Sequence, residues 1–190
     1  MAQRKTARGR RSTRKAANGR RRTSRRSPSA RKPDALRLLK DDHERVQKMF
    51  ERFERTRGDS QKEQLATAIC DELTVHAQLE EQLFYPALRD AIEDDDLVNE
   101  AEVEHSTAKD LIDQIRASSP RDPRYDALVS VLGEYVKHHI QEEEREIFKQ
   151  ARASELDLVA LGEQLKERKG MLAGGEGLTG RIASFLGQAG

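Results

Sequence analysis

Four stretches of this chain, lying between residues 34 and 151, carry apolar side chains at alternating steps of three and four residues. That spacing places the apolar side chains along one face of an α-helix, and such faces become buried when helices pack side by side. Each stripe also contains one histidine, namely His43, His76, His105 or His139. The sequence therefore predicts an all-α fold, an antiparallel up-down four-helix bundle with polar side chains in its core.

Capping and turn-forming residues set the expected ends of these helices. Asp34 follows Pro33 and suits the N-cap of the first helix. Pro86 is expected to bend or end the second helix, because proline cannot donate the backbone hydrogen bond of a helix interior. The other predicted boundaries are residues 58–60, the acidic run 93–96 where the third helix begins, residues 118–120, and a fourth helix from about residue 122 to 151.

The charges of the chain are divided unevenly along its length. Residues 1–33 hold 14 of the 35 lysines and arginines and no acidic residue, whereas the remainder holds 21 basic and 34 acidic residues. Beyond Met1 the first segment has no large apolar side chain, so it cannot bury enough surface to offset the entropy of ordering. We expect a disordered basic tail over residues 1–33, the bundle over residues 34–151, and a C-terminal extension over residues 152–190 with one or two further helices.

The basic tail indicates a polyanionic partner. Fourteen positive charges would release counterions from nucleic acid and give salt-sensitive binding that is independent of base sequence. No aromatic side chain lies among the arginines, so stacking on single strands is not supported. Three alternatives stay open: the tail lies against the acidic surface of the bundle, serves as a solubilising arm, or is an organellar transit peptide.

The cysteine content and the hydropathy suggest a compartment. With Cys70 as its one cysteine, the chain has no intrachain disulfide and no thiolate cluster, and a reducing setting is the simplest. No apolar run approaches the roughly 18 residues of a membrane span, and the N-terminus lacks the apolar segment of a secretory signal. We expect a soluble, cytoplasmic protein with no membrane partner and an inert Cys70, while the oligomeric state is left open.

Two of the four stripes continue from histidine to a glutamate four residues later, His76 to Glu80 and His139 to Glu143. This spacing puts imidazole and carboxylate one turn apart on the same helix face, where both can reach a metal ion shared with the histidines of the other stripes. Burying such groups without a partner is costly, and a bound cation compensates both carboxylates at once. The alternative is a metal-free, nucleic-acid-binding helical protein whose histidines are hydrogen-bonded core residues.

Several polar neighbours are expected to lie outside this site. His138 is one position off the stripe, and we interpret it as a supporting or surface residue. Glu81, Glu142 and Glu144 are expected on outward faces as solvated charges. Glu102, on the third helix, could supply a seventh ligand but is not assigned to the site.

Four segments of the chain resemble the successive signature helices of the hemerythrin HHE cation-binding family. They are LLKDDHERVQKMF (38–50), HAQLEEQLFYPAL (76–88), EHSTAKDLI (104–112) and HHIQEEEREIF (138–148). The resemblance implies an antiparallel four-helix bundle with a di-iron centre held by His43, His76, Glu80, His105, His139 and Glu143. Oxygen-carrying hemerythrins have a further histidine four residues after the third-helix ligand, where this chain has Lys109. The resemblance therefore does not extend to the full ligand set of reversible oxygen carriers.

The ligand count indicates a reactive centre. Four histidines and two bridging glutamates supply about eight bonds, whereas two six-coordinate irons take about twelve, so open positions remain for water, oxygen, peroxide or nitric oxide. An oxo or hydroxo bridge is expected, and manganese or zinc could replace iron. We predict that the protein senses or handles an oxidant or a small gas. The alternative is an enzyme that decomposes peroxide at the same centre.

Overall fold

A computed structural model describes residues 34–174 of the chain. Seven α-helices and two π-helical turns follow one another in this part: α1 (Ala35–Arg55), α2 (Asp59–Leu79), π1 (Glu80–Phe84), α3 (Tyr85–Arg89), α4 (Asp96–Arg116), α5 (Tyr125–Glu142), π2 (Glu143–Ile147), α6 (Phe148–Ala153) and α7 (Leu158–Gly174). Because α2, π1 and α3 follow without a break, as do α5, π2 and α6, they form the second and fourth helices of the bundle. The predicted four-helix bundle and one further helix are thus present. The predicted tail over residues 1–33 and the last part of the predicted C-terminal extension, residues 175–190, lie outside the described residues.

The helix ends follow the capping residues of the sequence. The Asp34 side chain accepts a hydrogen bond from the backbone N–H of Arg37 at 2.9 Å, so it caps α1 as predicted. α4 begins at Asp96, within the acidic run, and ends at Arg116, just before the predicted break. The start of α1 and both ends of α4 thus agree with the predicted boundaries.

Pro86 does not end the second bundle helix, which continues to Arg89. The departure from α-helical geometry comes before the proline, in π1, where the N–H of Tyr85 donates to the carbonyl of Glu80 five residues back. Pro86 follows the point at which the hydrogen-bond pattern changes register, so its missing N–H interrupts no regular run of bonds. Of the two outcomes predicted for Pro86, a bend or an end of the helix, the end is therefore wrong.

The bundle core consists of two apolar clusters with a polar layer between them. α1 lies beside α2 and α5, and α4 lies beside the same two helices. One cluster surrounds Ile69 and Leu132, and the other surrounds Phe84 and Phe148. The buried polar or charged residues of the described part are Asp42, His43, Glu72, His76, Glu80, His105, His139 and Glu143. Burial of so many polar groups is costly unless each has a partner, so this layer marks the functional site.

α7 covers one side of the bundle. Its Leu161 and Leu165 are buried in the same cluster as Leu36, Leu39 and Leu79, which places α7 against α1 and α2. Among residues 34–174, no helix has both the length and the apolar character that crossing a membrane requires.

Candidate metal centre

The six side chains predicted as ligands lie together in the polar layer. Each is at most 7% exposed. They come from all four bundle helices: His43 from α1, His76 and Glu80 from α2 and π1, His105 from α4, and His139 and Glu143 from α5 and π2. The structure therefore brings the predicted set into one place, and their role as ligands stays a prediction.

The ligand atoms form two groups that share Glu80. One group consists of His43, His76, Glu80 and Glu143, and the other of Glu80, His105 and His139, and within each group the atoms lie within 4.8 Å of one another. Glu80 Oε1 lies 3.1 Å from His76 Nε2, while Glu80 Oε2 lies 3.3 Å from His105 Nε2. Glu80 thus presents one carboxylate oxygen to each group.

Glu143 is placed differently. Its Oε2 lies 3.2 Å from His43 Nε2, whereas its Oε1 accepts a hydrogen bond from the Tyr85 hydroxyl at 3.3 Å. Burial, reinforced by the nearby Glu143 carboxylate, raises the pKa of Tyr85 well above its usual value, so the hydroxyl keeps its proton and remains a donor. The sequence predicted two bridging glutamates, but in this structure only Glu80 faces both groups.

Three of the four histidines have a carboxylate oxygen within hydrogen-bond distance of Nδ1. An ionised carboxylate only accepts, so Nδ1 carries the hydrogen and the Nε2 lone pair of the neutral ring is directed to the centre. The three pairs are His43 with Glu144 at 3.1 Å, His105 with Glu81 at 3.0 Å, and His139 with Glu104 at 2.7 Å. His76 is the exception, because its Nδ1 lies 3.9 Å from Asp42 Oδ2, too far for a hydrogen bond.

Glu81 and Glu144 were expected to be solvated charges, and that expectation is wrong. Each directly follows a glutamate of the centre, and it lies on the helix flank that faces a neighbouring helix, from which its carboxylate reaches a histidine. The hydrogen bond from His43 is the main cause that lowers the pKa of Glu144 to about 2. Glu142 does lie at the surface, where its Oε2 is 3.4 Å from Nε2 of the exposed His138.

The site repeats itself in the two halves of the bundle. In each half an acidic residue directly precedes the histidine of the first helix, and a His-x-x-x-Glu-Glu motif leads into the π turn of the second helix. The acid that precedes the first histidine faces the second histidine of its own half, His76 or His139. The last glutamate of the motif faces the first histidine of the other half, His105 or His43. The corresponding residues are Asp42 and Glu104, His43 and His105, His76 and His139, Glu80 and Glu143, and Glu81 and Glu144.

Both π turns begin at a glutamate of the centre. The N–H of Tyr85 donates to the carbonyl of Glu80, and the N–H of Phe148 donates to the carbonyl of Glu143. A π turn inserts an extra residue and forfeits regular α-helical bonding, and such turns are frequent at functional sites. Here the insertion changes the helical register directly after each glutamate of the centre.

The donor atoms of the site fit a bound cation. Both oxygens of Glu80 and Oε2 of Glu143 are buried, and none has a hydrogen-bond partner in the described part of the chain. Nε2 of His43 lies 3.0 Å from Nε2 of His76, and the second histidine pair is separated by 3.2 Å. Neutral rings would set lone pairs against each other at these distances, and the carboxylates need positive partners. Nitrogen and oxygen ligands without sulfur suit iron or manganese and permit zinc.

Comparison with known proteins gives the family. The hemerythrin HHE cation binding domain matches residues 34–151, a range that includes all six predicted ligands. The chain belongs to the hemerythrin HHE cation-binding family. It is accordingly a metal-binding, hemerythrin-like protein, and a metal-free helical protein is disfavoured.

Two known proteins are similar to this HHE protein. The crystal structure of a hemerythrin HHE cation binding domain-containing protein from Mycobacterium kansasii superposes with a TM-score of 0.65 at 23% identity, over 75% of this chain and 88% of that chain. This likeness shows a shared fold. A DNA nickase from Nostoc sp. (strain PCC 7120 / SAG 25.82 / UTEX 2576) is 30% identical over 111 residues, which are 58% of this chain and 31% of the nickase. The chain therefore spans about a third of the length of that relative.

A small cavity of the HHE domain adjoins its histidines. Its volume is about 40 Å³, and its lining includes all four histidines of the centre together with apolar side chains such as Ile112 and Val136. Lys109, at the position where oxygen carriers have a further histidine, also contributes to this lining. Its side chain is 47% exposed, and its Nζ binds the two oxygens of Glu81 at 2.6 and 2.7 Å. Lys109 thus supports His105 through Glu81.

Two candidates from the sequence lie outside the centre. His138 is exposed, in agreement with its interpretation as a surface residue. Glu102 Oε2 binds Arg89 at 3.0 Å and is partly exposed. Glu102 is therefore engaged at the surface and does not reach the ligand groups.

Carboxylates raise the pKa of three histidines of the HHE centre, and for His43 burial is outweighed by the hydrogen bonds to Glu143 and Glu144. Burial lowers the pKa of His76, but the charges of Glu80 and Asp42 outweigh burial and raise the pKa to about 10. Burial is likewise outweighed at His105, where Glu80 and Glu81 raise the pKa to about 9. Burial would raise the pKa of Glu80, yet the two histidines lower it well below its usual value. Without metal, the site at neutral pH pairs ionised glutamate with imidazolium, and metal binding must displace those protons.

The sequence did not identify several polar and charged residues that lie around the centre. Asp42 and Glu104 could have been found, because each directly precedes a predicted ligand histidine. Tyr85 and Glu72 carry no such signal, and Lys169 lies on a helix that was read only as an extension. Glu104 and Tyr85 contact a histidine and a glutamate of the centre directly. Glu72 and Lys169 belong to the group of charges around Asp42.

Proposed function

We propose that this HHE domain holds two metal ions, preferably iron, and uses them to sense or handle a small oxidant or gas such as oxygen, nitric oxide or peroxide. The observation that carries the proposal is the position of Glu80, whose two oxygens face two separate groups of histidine nitrogens. When bound, iron ions supply open coordination positions and redox chemistry.

The cavity supports a small ligand. Its volume of about 40 Å³ is enough to hold a molecule of the size of water, oxygen or peroxide. Apolar side chains on one side and the histidines on the other would exclude larger substrates and bulk water. The Nδ1 contacts of three histidines fix the ring orientation, so the Nε2 atoms need no rearrangement on binding.

A peroxide-decomposing activity at the same centre is the enzymatic alternative. Iron-loaded protein is to be mixed with excess hydrogen peroxide, while oxygen release and the absorption spectrum are recorded. Sensing or handling predicts a spectral change that saturates near one equivalent per centre, with nitric oxide as a second ligand, whereas catalysis predicts many turnovers. A spectrum that responds to neither ligand would contradict both. The His76→Ala, His139→Ala double variant is the control that lacks one histidine of each group.

We further propose that residues 1–33 tether the protein to nucleic acid in a reducing cytoplasm. The 14 positive charges of this segment support the proposal, as does the name of the similar nickase, which describes action on DNA. Duplex binding of the full chain should weaken steeply with salt. Replacing Arg20, Arg21, Arg22, Arg25 and Arg26 by glutamine should reduce the slope of log affinity against log salt by about four to five. An unchanged slope would contradict the tether, and the double histidine variant should bind DNA as the unaltered protein does.

A further inference from the structure

His76 is the one histidine of the centre whose Nδ1 has no hydrogen-bond partner in residues 34–174. The nearest carboxylate oxygen, Asp42 Oδ2, lies 3.9 Å away and would need to approach by about 1 Å to accept a hydrogen bond. Its counterpart in the other half, Glu104, lies 2.7 Å from His139 Nδ1. The two halves of the centre therefore differ at this contact.

Two basic side chains form ion pairs with the Asp42 carboxylate. Arg45 Nη1 donates to Oδ1 at 2.7 Å, and Lys169 Nζ lies 2.5 Å from Oδ2, the oxygen that also faces His76. Glu72 completes the group, since its Oε1 accepts from both Arg45 and Lys169. Lys169 Nζ lies closer to Oδ2 than His76 Nδ1 does, at 2.5 Å against 3.9 Å, and its positive charge strengthens the contact, so Lys169 competes effectively with His76 for Oδ2.

Lys169 reaches Asp42 because α7 is docked on the bundle. Leu161 and Leu165 of this helix are buried against α1 and α2, and Lys169 follows Leu165 by one turn on the same face. α7 begins at Leu158, beyond residue 151 where the match to the HHE family ends. The contact with Asp42 therefore comes from a part of the chain outside the matched domain.

We propose that Lys169 is a positioning residue that holds Asp42 away from His76 Nδ1 and thereby couples the docking of α7 to one half of the metal centre. A histidine whose Nδ1–H donates to a carboxylate is a more basic ligand with a fixed orientation. While α7 is docked, His76 lacks this support and binds a metal less strongly than the other three histidines. Undocking of α7, or loss of the Lys169 charge, releases Asp42 to His76.

The coupling works in both directions. A change that alters how tightly α7 docks also alters metal binding at His76, and metal binding alters the docking of α7 by the same free energy. The effect on a bound metal rests on the proposed function, whereas the contact between Lys169, Asp42 and His76 does not. The side-chain contact can therefore be tested with and without metal.

Nuclear magnetic resonance of protein labelled with ¹⁵N at histidine tests this proposal. The full chain is compared with Lys169→Met, which removes the charge, with Lys169→Arg, which keeps it, and with Lys166→Met, which alters an exposed lysine on the same helix. Spectra are recorded without metal and with zinc, which is diamagnetic. The signals to be counted are Nδ1–H protons of the four buried histidines that are protected from exchange with water.

We expect three protected Nδ1–H signals in the unaltered protein, in Lys169→Arg and in Lys166→Met. In Lys169→Met we expect a fourth signal, which is assigned to His76. With zinc, the affinity of Lys169→Met should rise about tenfold. A protected His76 signal already present in the unaltered protein would overturn the proposal, and this result needs no variant. Three signals in a folded Lys169→Met, or in Lys169→Gln as a second neutral variant, would also overturn it. Failure to bind zinc would count against the proposed function, while the metal-free spectra would still decide the contact.

Discussion

Glu81 lies 3.0 Å from Nδ1 of His105, with its carboxylate held in turn by Lys109. This contact fixes which nitrogen of His105 carries the hydrogen and directs Nε2 to the centre. We predict that Glu81→Ala lowers the affinity for zinc or iron about 10- to 100-fold, because His105 loses that orientation. Isothermal titration of metal into metal-free protein measures the change.

Glu63→Ala is the matched control for Glu81→Ala. Glu63 is an exposed glutamate of α2, in the same bundle helix, and lies apart from the centre. Its replacement should leave the affinity unchanged. Equal affinities for all three proteins would show that Glu81 does not support the centre.

The raised pKa values of His76 and His105 predict a pH dependence of the metal-free protein. In the unfolded chain a histidine titrates near 6.5, whereas the folded values are about 10 and about 9. Folding therefore favours the protonated rings, and this stabilisation is complete below about 6.5 and is lost as the pH rises through about 9 to 10. We expect the melting temperature of metal-free protein to fall over this window.

Zinc-loaded protein provides the comparison for the pH series. A bound cation replaces the protons as the partner of Glu80, so its melting temperature should fall less over the same window. His138→Ala, which alters an exposed histidine, should follow the unaltered metal-free protein. A metal-free melting temperature that is constant or rises between neutral pH and about pH 10 would contradict the assigned charges.

The packing of α5 predicts opposite outcomes for two neighbouring residues. Leu132 is fully buried in the core, whereas Val131 is 51% exposed. Leu132→Ala should lower the free energy of unfolding by about 2–5 kcal/mol, because it removes buried methyl groups and leaves a cavity. Val131→Ala should change it by no more than about 0.5 kcal/mol. Urea unfolding of the zinc-loaded protein measures both changes. Similar decreases in the free energy of unfolding would contradict the placement of Leu132 in the core and of Val131 at the surface.

The bundle could be predicted from sequence because its signals are local and periodic. Apolar spacing placed Leu39, His43 and Val46 on one face of α1, and all three are buried. Asp34 marked the start of α1 because an N-cap side chain bonds to the backbone only three residues later, here to the N–H of Arg37. The six side chains of the centre were found because each interrupts an apolar stripe with a polar group that a core does not otherwise admit.

The remaining features depend on tertiary contacts or on subtle backbone geometry. The π turns at Glu80 and Glu143 change the bonding of helices whose composition looks α-helical throughout. Glu81 and Glu144 resemble solvated charges until the facing helix brings a histidine to them. The contact of Lys169 with Asp42 joins residues that are far apart in the chain, so no spacing rule could reveal it.

The metal content of the full chain tests the central claim most directly. Protein from iron-supplemented medium is to be analysed for iron beside the His76→Ala, His139→Ala double variant and His138→Ala, whose exposed histidine is next to a predicted ligand in sequence. A centre in which Glu80 serves two ions predicts about two irons per chain in the unaltered protein and in His138→Ala, and strong loss in the double variant. Iron at about one per chain or below in the unaltered protein, or equal iron in all three proteins, would contradict it.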